Sequence, residues 1–313
     1  MSSFDLRPLS LGELLDRAFL LYRRNFALFA GIMVIPACAM LPFQFLVLHL
    51  QGAPLPFHKT APRSPVQLYV FGVLLVYWVI YTVAQAATTY AVADAYLGRL
   101  STIRDSYGKI RGRFWRLIGL SVNVALRVFG LMLLIVMLAS IVGGVLGAAL
   151  SSGRASPSPL ALTLVFAVVF AAFAFALWLA VRYAISLPAV LLEDISGSAA
   201  IRRSVQLSQG RRGPLVVGIL LSIVVLYAVA LLFQGPFYAT IVVMRVQGGL
   251  PSWLSLGMAL SSLAGGIIAG PLLMIILVLF YYDLRIRKEA FDLQQMMAAL
   301  PHQDSTSPSP GPA

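Results

Sequence analysis

The sequence predicts an all-α integral membrane protein with six transmembrane helices. Its 313 residues are 60% hydrophobic and only 11% charged, whereas a soluble domain has roughly a quarter charged residues and about half apolar ones. The apolar residues form six long runs, and the basic residues concentrate in alternate loops. These observations exclude an aqueous globular fold and place most of the chain in lipid.

Six apolar runs are long enough to cross a bilayer, which takes about 20 mostly apolar residues. They are Phe26–Leu48, Leu68–Val92, Leu117–Leu150, Leu160–Val181, Leu215–Met244 and Leu254–Tyr282. Five runs contain no charged residue, and the third contains only Arg127. Because backbone polar groups in hydrocarbon must bond within their own segment, we expect each run to be a helix.

The basic residues predict the orientation of the spans. The first, third and fifth loops hold four Lys and Arg residues, whereas the terminal segments and the second and fourth loops hold seventeen. Lys and Arg favour the cytoplasmic side of a membrane. We therefore expect a multi-pass protein of the cell (cytoplasmic) membrane with both termini in the cytoplasm. This orientation accounts for the net charge of +12, so no nucleic-acid partner is expected.

Amphipathic interfacial helices are expected before spans 1, 3 and 5. The first begins with a capping box of Ser10 and Glu13. Ser101 and Ser198 are the candidate caps of the other two, and each of the three serines lies sixteen residues before its span, within one residue. The common spacing suggests a repeated unit of one interfacial helix and two spans.

We interpret the repeated unit as three candidate helix-hairpin repeats, residues 9–97, 98–192 and 193–292. Together they make up one six-span membrane domain of residues 1–292. Residues 293–313 form a cytoplasmic tail, and its polar end, rich in Pro and Ser, is expected to be disordered.

Arg127, Asn123 and Gln85 form the candidate intramembrane polar site. Counted from Leu117, Arg127 lies about 15 Å deep, where a guanidinium costs at least about 2.5 to 3.5 kcal/mol. It is expected to face the bundle interior or a wet cavity, with Asn123 one turn earlier on the same face. Arg127 is either a binding site for lipid phosphate or another anion, or an arginine that bonds neighbouring carbonyls or snorkels. Gln85 is a candidate for interhelical hydrogen bonding.

The basic segments also suggest contacts with anionic inner-leaflet head groups, since each Lys or Arg near the surface contributes about 1 kcal/mol. The candidate contacts are Arg23, Arg24, Arg111, Arg113, Arg116, Arg211 and Arg212. Pro236 and Pro271 are expected to kink spans 5 and 6. Kinked helices occur both in ordinary packed bundles and at transport sites.

The sequence carries no constellation typical of catalysis, cofactor binding or metal binding. The single cysteine, Cys38, excludes an intrachain disulfide, and the three histidines lack metal-ligand spacing. There is no Gly-x-Ser-x-Gly elbow, and the Gly-Lys at 108 and 109 lacks the rest of a nucleotide-binding loop. We therefore expect no catalytic residue, no cofactor and no metal.

Three stretches, in this order, carry a resemblance to a known family: Arg7–Phe19, Leu192–Arg212 and Phe280–Asp292. They resemble uncharacterised bacterial multi-pass proteins related to the membrane domain of glycerophosphoryl diester phosphodiesterases. In two-part members this domain precedes a soluble barrel that hydrolyses the diester with paired acids, histidines and a divalent metal. No such barrel is present among these residues, so the resemblance implies a membrane domain and no phosphodiesterase residue is carried over.

Three functions remain open at this stage. The favoured one is a non-enzymatic membrane protein that organises lipids or partner proteins at the cytoplasmic membrane, with a protein partner or a second copy of the chain as candidate partners. The alternative is a small transporter or channel for an anionic or amphipathic solute. An enzyme acting on a lipid head group is the least favoured, because no nucleophile is paired with a base.

Overall fold

The structure is a computed structural model that describes residues 9–44, 65–150, 159–244 and 251–289. Every secondary-structure element in these ranges is helical, and six segments are long and apolar enough to cross a membrane. They are Phe26–Gln44, Leu68–Tyr96, Phe114–Leu138, Phe166–Leu192, Arg212–Val243 and Trp253–Glu289. The prediction of an all-α, six-span membrane protein is confirmed, and the chain is a multi-pass integral membrane protein.

The helices follow one another along the described ranges as α1 to α12. They are α1 (Leu11–Arg24), α2 (Phe26–Ala39), α3 (Pro65–Tyr96), α4 (Ile103–Gly108), α5 (Phe114–Ala125), α6 (Leu131–Leu150), α7 (Pro159–Tyr183), α8 (Ser186–Leu192), α9 (Gly197–Ser208), α10 (Arg212–Val243), α11 (Ser252–Ala269) and α12 (Leu272–Glu289). Consecutive spans pack as hairpins, α2 with α3, α6 with α7 and α10 with α11.

The third and the sixth spans are interrupted near their middles. In the third, a π-helical turn over Leu126–Gly130 separates α5 from α6. In the sixth, Gly270 and Pro271 separate α11 from α12, which is the interruption expected at Pro271. By contrast, α10 continues through Pro236. The end of the first predicted span, residues 45–48, and the tail 293–313 lie outside the described residues.

Helices precede spans 1, 3 and 5 as predicted, but two of the predicted caps are wrong. The capping box of Ser10 and Glu13 is present at α1. At α4 the hydroxyl of Thr102, not that of Ser101, accepts from the backbone N–H of Asp105. At α9 the cap is Ser196, because Ser198 already lies in the first helical turn. The even sixteen-residue spacing is therefore not reproduced, and the three repeats stay a prediction.

The packed core surrounds α12. Nearly every residue from Leu272 to Leu284 is buried, on all sides of the helix, which is the pattern of a helix enclosed by others. Its neighbours are α1, α3, α8, α9 and α10. The first helix, α1, begins beside the C-terminal half of α12, where the Leu9 backbone N–H donates to Asp283 at 2.8 Å.

The core lies toward one end of the molecule, which we call the charged end. It comprises the segments 9–25, 94–116, 182–212 and 283–289, which contact one another through ion pairs and backbone bonds. The far halves of the spans expose large apolar side chains instead. Examples are Leu68, Leu133, Phe166, Leu231 and Val243. In a membrane these side chains face lipid, so tight packing is confined to the charged end.

Hydroxyl groups from α1, α4 and α9 satisfy carbonyls freed at irregular points of three spans. Pro36 has no N–H for the Ile32 carbonyl, and the Tyr107 hydroxyl donates to that carbonyl at 2.9 Å. The Tyr22 hydroxyl donates to the Ile268 carbonyl at 2.7 Å, next to the break in the sixth span. At the end of α7, Ser204 donates to the Arg182 carbonyl at 2.7 Å. Each bond removes an unpaired polar group from an apolar surrounding.

Candidate functional site

The three stretches that carry the family resemblance meet at the charged end. Asp283 of α12 accepts from the Leu9 backbone N–H at 2.8 Å and from Arg287 at 2.9 Å. The Arg287 guanidinium also donates to the Leu9 carbonyl. The side chain of Asp283 is almost fully buried, so its two partners supply the compensation that a buried carboxylate needs. This cluster joins the first stretch to the third.

A second cluster joins the middle stretch to the third. Glu193 accepts from Arg203 at 2.9 Å and from the Tyr281 hydroxyl at 2.9 Å. Glu289 accepts from Arg285 at 3.1 Å and is ion-paired with Arg203. The resemblance motifs therefore correspond to contacts that hold α12 against its neighbours. In this arrangement Glu193 and Glu289 are each ion-paired with an arginine.

Asp194 connects the second and third segments of the charged end. Its carboxylate accepts from Arg113 at 2.8 Å and from Arg116 at 2.5 Å. Hydrogen bonds from these two guanidiniums lower the pKa of Asp194, and the bond to Asp194 raises the pKa of Arg113. The backbone of Asp194 has φ of +55°, a conformation that Asp and Asn adopt more readily than most residues. The turn thus holds the Asp194 backbone in the conformation from which its carboxylate binds both arginines.

An apolar groove of about 410 Å³ lies between the second, third and fourth spans. The α3 wall supplies Trp78, Tyr81, Thr82 and Gln85, and the opposing walls come from α5, the π turn, α7 and α8. Its rim includes Phe129, whose ring is largely exposed. A groove of this size and lining can hold part of a long apolar chain.

Gln85 is one of the polar residues that line this groove, together with Thr82, Ser121 and Ser186. Gln85 is 7% exposed, and its Oε1 atom is buried without a hydrogen-bond partner among the described residues. An unpaired buried polar atom costs about 1–3 kcal/mol. The interhelical hydrogen bond expected of Gln85 is therefore not made by that oxygen.

Other polar residues of the spans form hydrogen bonds within their own helices. Thr88 and Thr89 each donate to the carbonyl four residues earlier. Gln234 accepts from the Tyr238 hydroxyl at 3.3 Å, also four residues away. Back-bonding of this kind satisfies a hydroxyl without a second helix.

The structure corrects the expected position of Arg127. The side chain is exposed rather than turned to the bundle interior, and its guanidinium carbon lies 6.0 Å from the centre of the Tyr183 ring. The physical reason is the π turn, whose extra residue displaces the helical register that was counted from Leu117. Because Tyr183 follows the apolar run of the fourth span, this contact corresponds to snorkelling toward the charged end.

The predicted polar site is only partly brought together. Gln85 and Tyr183 line the groove, and Arg127 stands beside the groove residues Val128 and Phe129. Asn123 is half-buried and does not line the groove. Sequence reasoning missed Trp78, Tyr81 and Thr82, although the spacing of 78, 81, 82 and 85 puts them on one face of α3.

The candidate lipid contacts differ in their exposure and in whether they are ion-paired. Arg23, Arg24 and Arg111 are exposed, and Arg211 and Arg212 are half-buried. Arg113 and Arg116 are ion-paired with Asp194, which reduces the charge that they offer to a lipid. Cys38 is exposed on the first span.

No family model, curated protein or solved structure matches this chain.

Proposed function

We propose that the protein is a non-enzymatic membrane protein that binds and organises lipids at the cytoplasmic membrane, with the groove between spans 2, 3 and 4 as the binding site. The Oε1 atom of Gln85 in that groove, which is buried and has no hydrogen-bond partner among the described residues, carries the proposal. An amide can turn over to accept from a hydroxyl or to donate to an ester carbonyl. A glycerolipid offers ester carbonyls next to its apolar chains, and some glycerolipids also offer a hydroxyl.

The surroundings of Gln85 support a lipid over a small polar solute. The remaining lining is almost entirely apolar and aromatic, which favours an acyl chain over a hydrated ligand. Arg127 stands at the rim beside Tyr183, where a guanidinium can meet a lipid phosphate. A partner protein would instead need a broad docking face, whereas this groove has a volume of only about 410 Å³.

The test fills the groove. Ala180 lines it, and Ala180→Phe should occlude it. Ala174→Phe is the matched control, because Ala174 is exposed on the same helix, α7. After mild detergent extraction, native mass spectrometry should show lipid bound to the parent and to Ala174→Phe, and little bound to Ala180→Phe. Absence of bound lipid in the parent, or equal retention by both variants, would overturn the proposal.

The transporter alternative is favoured by one observation, the break in the sixth span. A second cavity of about 270 Å³ lies beside it, lined by Gly266 and Gly270 of the break region and by Met33 and Pro36 of α2. The Tyr22 hydroxyl already satisfies the Ile268 carbonyl there, which supports a packed break over an ion site. In reconstituted vesicles, flux of an amphipathic anion that is lost in Arg127→Ala would establish transport and contradict a purely organising role.

A further inference from the structure

Two guanidiniums lie around one indole where the fourth span ends and the fifth begins. The guanidinium carbon of Arg182 is 4.5 Å from the centre of the Trp178 ring, and that of Arg212 is 6.0 Å from the same centre. Trp178 and Arg182 are one helical turn apart on α7, and Arg212 is the first residue of α10. The sequence separates these arginines by thirty residues, so only the fold brings their charges together.

Neither arginine has a carboxylate partner among the described residues. The acids of the charged end bond elsewhere: Asp94 to Lys109, Asp194 to Arg113 and Arg116, and Glu193 to Arg203. Two like charges at an apolar boundary repel each other unless an anion compensates them. The Trp178 ring contributes a cation–π attraction but no net negative charge.

The Nε atoms of both arginines lack a hydrogen-bond acceptor among the described residues. Each Nε is buried and has no hydrogen-bond partner in the described part of the chain. Both residues are half-buried, so part of each residue remains accessible. A buried donor without an acceptor is destabilising, and more so when the group is charged. The pair is therefore under-satisfied both in charge and in hydrogen bonds.

The backbone around the pair is held in place by local structure. The Ser204 hydroxyl donates to the Arg182 carbonyl at 2.7 Å, which fixes the end of α7 against α9. Gly210 has φ of +80°, a conformation that favours glycine. This turn reverses the chain between α9 and α10 and sets the direction in which Arg212 leaves it.

We propose that Arg182, Arg212 and Trp178 bind the phosphate of an anionic lipid head group. Guanidinium groups match the planar, bidentate geometry of phosphate oxygens, and Trp side chains favour the level of the head groups. The three residues lie at the ends of two spans, which is where a phosphate sits when the acyl chains follow the helices. None of them lines the groove, so this site does not rest on the proposed groove function.

The experiment measures binding of phosphatidylglycerol to the purified protein by native mass spectrometry. The variants are Arg182→Gln and Arg212→Gln, and Arg202→Gln is the charge-matched control because Arg202 is exposed on α9. A charge-assisted hydrogen bond is worth about 1.5–3 kcal/mol, so each variant should bind about tenfold more weakly or worse. The control should bind as the parent does. Phosphatidylcholine and inorganic phosphate are titrated separately to identify the source of the phosphate.

Folding is checked independently by the melting temperature of each variant without added lipid. A variant that melts like the parent and has lost phosphatidylglycerol binding supports the site. Equal affinity in the parent, Arg182→Gln and Arg212→Gln overturns it, and so does an equal loss in Arg202→Gln. A response to inorganic phosphate alone would overturn the assignment to a lipid. Ala180→Phe should leave this binding intact, so failure of the groove and failure of this site are distinguishable.

Discussion

At the scale of single residues, Asp194 shows how one side chain can join two segments far apart in sequence. Its carboxylate holds Arg113 and Arg116, which precede and begin the third span. Its backbone takes a positive φ that most residues avoid. Asparagine tolerates the same φ, so Asp194→Asn removes the charge and leaves the turn. This substitution therefore isolates the electrostatic contribution of the ion pairs that Asp194 forms with Arg113 and Arg116.

Asp194→Asn should lower the melting temperature at pH 7, and the difference from the parent should vanish in acid. Because hydrogen bonds from Arg113 and Arg116 lower the pKa of Asp194 in the folded state, its stabilising contribution is full above the unfolded pKa of about 3.9. The contribution is lost as the pH falls through the lower, folded pKa. Melting curves in detergent from pH 7 downward measure the difference. A difference in melting temperature between the parent and Asp194→Asn that stays the same at every pH would contradict a stabilising role of these ion pairs.

At the scale of elements, composition and charge predicted the spans well, because length and apolarity alone decide which segments enter lipid. The interruptions were harder to predict. Pro271 predicted one break, but no residue type indicates the π turn at Leu126–Gly130. The partners of freed carbonyls could not be predicted either, since Tyr107 and Ile32 are 75 residues apart. Such contacts depend on which helices become neighbours, and local patterns do not contain that information.

The bond between Tyr107 and Ile32 can be tested with a double-mutant cycle. Tyr107→Phe should destabilise the protein by about 1–2 kcal/mol, because the Ile32 carbonyl is buried and has lost its donor. In a Pro36→Ala background the residue at 36 regains an N–H for that carbonyl, so the same substitution should cost less. Denaturation in mixed micelles gives both values. Equal costs in the two backgrounds would show that Pro36 does not create the need for Tyr107.

Burial raises the pKa of Tyr107 to about 12. Its hydroxyl therefore stays protonated, and able to donate to Ile32, throughout the neutral range. This stabilising contribution is present below the unfolded pKa of about 10. It is lost only as the pH rises through the folded value.

At the scale of the whole molecule, the three hydroxyl bonds link the candidate repeats in a closed order. The hydroxyl of Tyr22, in the repeat 9–97, reaches Ile268 in the repeat 193–292. Tyr107 in the second repeat reaches Ile32 in the first, and Ser204 in the third reaches Arg182 in the second. The helices α1, α4 and α9 thus each donate a hydroxyl hydrogen bond to a span of another candidate repeat.

The orientation of the molecule is the prediction at this scale. Reporter proteins fused after Gly52, Gly153 and Gly248 should lie outside the cytoplasm, and those fused after Arg113, Gly210 and Ala298 should lie inside. The reason is the excess of basic residues on one side, seventeen against four. Paired reporters that are active only outside or only inside provide the measurement. A reversed or mixed pattern would show that the charged end does not face the cytoplasm.

The central place of α12 has a consequence for the order in which the protein is made. The helix that α1, α3, α8, α9 and α10 enclose is the second half of the sixth span, and it leaves the ribosome after all of them. Until it arrives, α1 lacks its main packing partner and has only its smaller contacts with α2, α3 and α10. The five earlier spans therefore enter the bilayer without their central helix. The packed core forms only when the sixth span has been inserted.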